Sequence, residues 1–144
     1  MNAVELDLRS EPYSVLRLAA DAPAPVEVLA AQGFVSVTRT PDELSVVCPT
    51  AVAPPADEAE GGWRLLTARG PFDFALTGIM AALSTPLAEA GVPLFALSTY
   101  DTDHLMVREE HLHRAITALE NAGHRVHAEV GRSSSPTNPS ANDR

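Results

Sequence analysis

The sequence predicts an α+β chain made of two tandem ferredoxin-like βαββαβ units, the first incomplete. Three observations carry that prediction. From Trp63 to Glu129 the apolar spacing switches between period two and helical spacing, in the order strand, helix, strand, strand, helix, strand. Residues 13–48 give strand, helix, strand, strand, with no proper second helix behind them. The two halves also share a pattern: VTRT-PDELSV and LSTYDTDHLMV each read as strand, polar turn with an acid, strand. In that alignment Asp42 stands to Leu44 and Val46 as Asp103 stands to Leu105 and Val107. The expected division is a degenerate unit over 1–62, a second unit over 63–130 and a disordered tail over 131–144.

In chain order, residues 1–12 read as a loose lead-in and Tyr13 to Leu18 as a strand. Asp21 to Pro25 is a helix-start signal, and Val26, Leu29 and Ala30 mark a short helix that Gly33 ends. Phe34 to Thr40 and Leu44 to Cys48 read as strands around the turn Pro41-Asp42-Glu43. The run APPADEAEGG, Ala53 to Gly62, reads as a loop, possible helical turn included, and Trp63 to Ala68 as the next strand. Leu76, Ile79, Met80, Leu83 and Leu87 then fall on one helical face. Gly91 and Pro93 stop that helix, expected over Thr77–Ala90, and Pro86 predicts a bend or a loosened last turn. Leu94 to Thr99 and His104 to Val107 are strands around Tyr100-Asp101-Thr102-Asp103. A second helix, Glu109–Ala122, buries Leu112, Ala115, Ile116 and Leu119, starts on two acids and stops at Gly123. His124 to Glu129 is the last strand. GRSSSPTNPSANDR has no large apolar residue, which is the composition of a disordered tail.

Composition narrows the function classes. The chain has 144 residues, 45% of them apolar, enough for a packed interior. Its net charge is −9 with no basic run, which argues against nucleic acid and anionic membrane as main partners. No stretch approaches the ~20 apolar residues of a membrane span. MNAVELDLRSEP has acids and no continuous apolar core, so it does not read as a signal peptide. One cysteine, Cys48, allows no internal disulfide. Together these predict a cytoplasmic protein.

Residues 70–123 resemble an ACT domain, specifically the subtype of the CASTOR arginine sensors and their small bacterial relatives. The resemblance rests on Phe72-Asp73, Thr77-Gly78-Ile79, Pro86-Leu87-Ala88, Gly91-Val92, Ser98-Thr99-Tyr100, Thr102-Asp103 and Leu105 to Glu109. It implies two ACT-type units and a regulatory module that binds a small molecule, usually an amino acid. It also implies a ligand lying against the loop and helix start Asp73, Thr77, Gly78 and Ile79. The resemblance further implies that the strand start of a neighbouring unit, here Val92, Pro93 and Leu94, faces that loop, and the turn Thr99, Tyr100, Asp101, Thr102 and Asp103 is expected to close one side. In the arginine sensors an acid stands just before the segment matching Thr77-Gly78; Ala75 and Leu76 stand there in this chain.

The chemistry of these residues allows two readings. Hydroxyls and carboxylates in a turn commonly bond nearby backbone N–H groups and do no more. The same groups can hold a zwitterion: a carboxylate such as Asp103 accepts from an ammonium, and a helix start with Gly78 leaves N–H groups open to a ligand carboxylate. The histidines show no zinc-type spacing, so no metal or cofactor is expected, and His104 reads as a histidine on an exposed strand. No nucleophile elbow, phosphate loop or paired-carboxylate pattern is present, so the chain does not read as an enzyme. The leading expectation is an amino-acid-binding regulatory protein, homodimeric through a face near Val92–Phe95, that signals to a protein partner the sequence does not name. The alternatives are a structural interaction domain without ligand and an uncharacterised enzyme.

Overall fold

The computed structural model describes residues 3–70, 72 and 77–129. Asp73, Leu76 and the expected tail lie outside the described residues. Two compact units emerge: residues 11–63, and residues up to Ser10 together with those from Arg64 on. Strand β5, Glu58–Ala68, begins in the first of these and ends in the second.

The 11–63 unit holds β2 (Tyr13–Leu18), the single turn α1 (Val26–Leu29), β3 (Ser36–Arg39) and β4 (Leu44–Pro49). Its strand order is β3-β4-β2-β5, the ferredoxin-like order without a second helix. Leu16, Leu44, Val46 and Cys48 form its core with Val28. Of the helix residues, Val28 is the buried one, whereas Val26 and Leu29 are exposed. The expected loop Ala53 to Gly62 is also corrected, since Glu58 to Gly62 are part of β5. Arg17, Leu16 and Val15 pair with Glu58, Ala59 and Glu60, and the register shifts before Tyr13 pairs with Trp63. Gly62, at φ 79°, supplies the conformation that this irregularity needs.

The other unit contains β1 (Glu5–Leu8), the end of β5, α2 (Ile79–Glu89), β6 (Phe95–Ser98), β7 (Asp103–Arg108), α3 (Leu112–Asn121) and β8 (Arg125–Ala128). Its strand order is β6-β7-β5-β1-β8. The expected four-stranded unit therefore has a fifth strand, and the expected loose lead-in supplies it. β1 lies antiparallel to β5, Leu6 opposite Ala68, and parallel to β8, Leu6 opposite Val126. The reason is period-two alternation: Val4, Leu6 and Leu8 are buried, while Glu5 and Asp7 face the other side.

Helices α2 and α3 share one face of this sheet. Ile79, Leu83 and Leu87 from α2 meet Ala115 and Leu119 from α3, over Leu6, Leu66, Leu105 and Val107 of the strands. Each fully buried Leu contributes roughly 1.5–3 kcal/mol of transfer free energy. Ala82 joins the buried face of α2, whereas Met80, expected in the core, is only partly buried. Both helices stop as expected: Gly91 (φ 73°) and Gly123 (φ 101°) turn the chain, and the N–H groups of Val92 and His124 return to the carbonyls of Leu87 and Leu119. The second helix opens with a 3₁₀ turn, Glu109–His111.

Pro86 lies inside α2, which continues through it to Glu89. Proline has no N–H for the carbonyl four residues earlier, so the Ala82 carbonyl lacks its helical donor. His124 Nε2 lies 2.9 Å from that oxygen, and His124 Nδ1 accepts the Val4 N–H at 3.0 Å. Because the amide can only donate, Nδ1 is the bare nitrogen and Nε2 carries the proton.

Candidate functional site

The β6–β7 hairpin and the start of α2 enclose a cavity of about 300 Å³. Ser98 pairs with Asp103 across the hairpin, and the Thr99 N–H reaches the Thr102 carbonyl at 2.9 Å, leaving Tyr100 and Asp101 at the tip. The tip is pinned to the end of β5. Thr102 Oγ1 donates to the Ala68 carbonyl at 2.7 Å, and the Asp101 carbonyl accepts the Phe72 N–H at 2.8 Å. Gly70 makes that approach possible, since a Cβ there would lie 2.9 Å from the Asp101 carbonyl oxygen.

Two carboxylates, Asp101 and Asp103, line the cavity together with Ser98, Thr99 and Thr102. Ser98 Oγ donates to Asp103 Oδ1 at 2.6 Å and fixes that carboxylate, leaving Oδ2 open to a second donor. Opposite stand Gly78, Ile79 and Met80 of the α2 start, with Phe72 completing the apolar side. Gly78 is the N-cap of α2 at φ 87°, and among the described residues no side chain caps the helix. The first-turn N–H groups of α2, which have no acceptor within the helix, are thus at the cavity. No Lys, Arg or His lines it among the described residues, so its lining is anionic apart from the helix end.

Of the residues expected from sequence, Gly78, Ile79, Thr99, Tyr100, Asp101, Thr102 and Asp103 come together here. Thr77 is exposed and borders a separate groove with Ala81 and Thr85. Val92 is buried in the core, Leu94 packs against it and Pro93 is exposed; none of the three lines this cavity. The sequence expectation assigned those three to a neighbouring unit. The site list from sequence lacked Ser98, Met80 and Phe72. Ser98 was legible as a hydroxyl opposite an acid across a tight hairpin.

His104 corrects another expectation. It is buried, not exposed, with its two ring nitrogens 3.1 Å from Thr67 Oγ1 and 3.2 Å from Thr99 Oγ1. Burial pushes its pKa below the usual histidine value; Arg9 adds to that, and Asp103 opposes it.

The 11–63 unit has the same hairpin without the site. Arg39 pairs with Leu44 as Ser98 pairs with Asp103, and the Thr40 N–H reaches the Glu43 carbonyl at 2.9 Å, as Thr99 reaches Thr102. The internal repeat is real, but its hydrogen bonds align Asp42 with Asp101, two residues away from the sequence alignment. At the place of Asp103 stands Leu44, buried in that unit's core.

Residues 58–121 match the family model described as an ACT domain. This segment is an ACT domain. A second family model, for an N-terminal domain, matches residues 11–55. The chain is 33% identical over 97 residues to the cytosolic arginine sensor for mTORC1 subunit 1 of Bos taurus, covering 60% of this chain but 30% of that protein. A crystallised protein from Agrobacterium tumefaciens is 37% identical, with a TM-score of 0.83 over 90% of this chain and 96% of the other. The regulatory subunit of aspartate kinase from Thermus thermophilus shares the fold, with 16% identity and a TM-score of 0.59 over 85% of this chain and 99% of that one. The ACT-domain match and the similarity to the arginine sensor support a ligand-binding regulatory role, and the cavity at the start of α2 lies within the ACT domain. Among the described residues no helix is long and apolar enough to cross a membrane.

Proposed function

We propose that this protein is a non-catalytic, amino-acid-binding regulatory module. One observation carries the reading: a cavity that sets two carboxylates on a rigid hairpin opposite the uncapped start of a helix. That arrangement complements a zwitterion. The free Oδ2 of Asp103 takes the ligand's cationic group as a charge-assisted bond, and the first-turn N–H groups of α2 beside Gly78 take its carboxylate. Asp73, which the family resemblance assigns to the ligand site, belongs to the same proposal. The arginine sensor among the relatives supports the ligand class.

In this reading the protein works in the cytoplasm as a homodimer, and Val92–Leu94 of a second copy close the open side of the cavity. Occupancy then reaches a regulated partner protein through that interface. Light scattering at tens of micromolar, with amino acids present, should report a dimer; a monomer sinks that part of the reading.

The test of the function is a thermal-shift screen of the twenty amino acids on protein shown by mass spectrometry to be ligand-free. A ligand at 100 times its Kd stabilises the fold by ~2.7 kcal/mol, a Tm shift of roughly 5–10 °C for a chain of this size. No shift with any amino acid would overturn the proposal.

A further inference from the structure

The hairpin that walls the cavity is held from behind. Successive strand residues face opposite sides, so Asp103 faces the cavity while His104 is buried on the other face of the sheet, directly across from Leu97. Thr99 Oγ1 donates to the Thr102 carbonyl at 3.1 Å, which can only accept. The Thr99 hydroxyl has one proton and gives it there, so its contact with His104 Nε2 requires the ring to donate. Nδ1 is then bare and accepts from the Thr67 hydroxyl. The directions form one chain, from Thr67 through neutral His104 to Thr99 and on to Thr102. It starts in the middle of the sheet and ends in the cavity wall.

We propose that His104 is the positioning residue of the site: its neutral ring holds Thr99, and with it the turn carrying Asp101 and Asp103, in the shape that receives a cationic amino acid. Taking up a proton at Nδ1 reverses the role of Thr67 and places a positive charge behind the two carboxylates. Both changes act against a cationic ligand. Among the described residues, the charged groups that act on the ring include Arg9, just beyond β1, which disfavours the proton, and Asp103, on its own strand, which favours it. This inference rests on the reading of the cavity as an amino-acid site.

The experiment has one arm without ligand and one with it. In ligand-free protein, long-range ¹H–¹⁵N spectra of the imidazole should show the proton on Nε2 at neutral pH. The backbone amides of Tyr100 and Asp101 should titrate with the midpoint of the His104 ring, and should cease to follow it in Thr99→Val. A proton on Nδ1, or turn amides indifferent to the ring, overturns the proposal whether or not anything binds. In the second arm, L-arginine and L-lysine are titrated calorimetrically at one pH well below and one well above the His104 midpoint measured in the first arm, which burial sets below that of an ordinary histidine. Wild type should bind roughly threefold to tenfold more weakly at the lower pH, the effect of one added charge at partly screened distance. His104→Gln should lose that pH dependence; if it persists unchanged there, the proposal is wrong. Should His104→Gln fail to fold, Thr99→Val carries the same comparison. Failure of both probes to bind at either pH contradicts the amino-acid reading, and the ligand-free arm still decides the role of His104.

Discussion

His124 Nε2 donates to the Ala82 carbonyl, 2.9 Å away, in the place where Pro86 has no N–H to offer. One side chain thus completes a helix that its own sequence interrupts, and the same ring accepts the Val4 N–H ahead of β1. Replacing His124 by Phe leaves a buried N–H and a buried C=O unpaired, each worth about 1–3 kcal/mol. We expect His124→Phe to lower unfolding free energy by roughly 2–6 kcal/mol in urea titration. Pro86→Ala supplies an N–H to Ala82, so the double variant should lose less than the two single losses added. Strict additivity would mean that Pro86 and His124 are not coupled.

β1 is a core strand. Leu6→Ala should cost about 2–5 kcal/mol, the range for a buried Leu that leaves a cavity. A loss near zero in the same denaturation assay would return residues 3–10 to the status of a loose lead-in.

Asp7 and Arg69 make three hydrogen bonds on the outer side of β1 and β5. The Arg69 guanidinium holds the Asp7 carboxyl below its ordinary 3.8. A depressed carboxylate stabilises the fold above its unfolded value, and that contribution disappears as pH falls through the folded value. Both partners are well exposed, so the pair is worth at most about 1 kcal/mol. Asp7→Asn should lower Tm at neutral pH, and the difference from wild type should vanish in acid. A difference that persists in acid would assign the effect to packing.

Gly70→Ala should act on the site more than on the fold. Its Cβ would press on the Asp101 carbonyl, so the hairpin tip must shift. We expect weaker binding of whichever amino acid the thermal screen selects, with a small change in Tm. Unchanged affinity would show that the tip tolerates the shift.

Parts of this architecture were legible because their signals are local. The stripe Leu83, Leu87 and the glycine stops depend on neighbours three or four residues away, and the turn Thr99 to Asp103 announces itself by composition. β1 was missed because ELDL gains its meaning from Val126 and Ala68, far along the chain. Glu58 to Gly62 carry no large apolar residue and are strand only by pairing with β2. His104 and His124 both look like surface polar residues in sequence. Their partners Thr67 and Ala82 lie 37 and 42 residues away, beyond any local pattern. The repeat was visible, but matching acids placed Asp42 on Asp103, whereas the hydrogen bonds place it on Asp101. In the site, polar residues of one turn were readable; Met80 was not, because helical spacing alone cannot tell a core position from a cavity wall.

The central claim is that Asp103 binds the cationic end of an amino acid. Calorimetric titration of the screened amino acid against wild type and Asp103→Asn tests it most directly. Asparagine keeps the shape, and it keeps an acceptor for Ser98, but it removes the charge. Loss of one charge-assisted bond is worth ~1.5–3 kcal/mol, so affinity should fall about tenfold to a hundredfold while Tm without ligand stays put. Equal affinity in the two proteins would remove Asp103 from the site, and an unfolded variant would make it a turn-former instead.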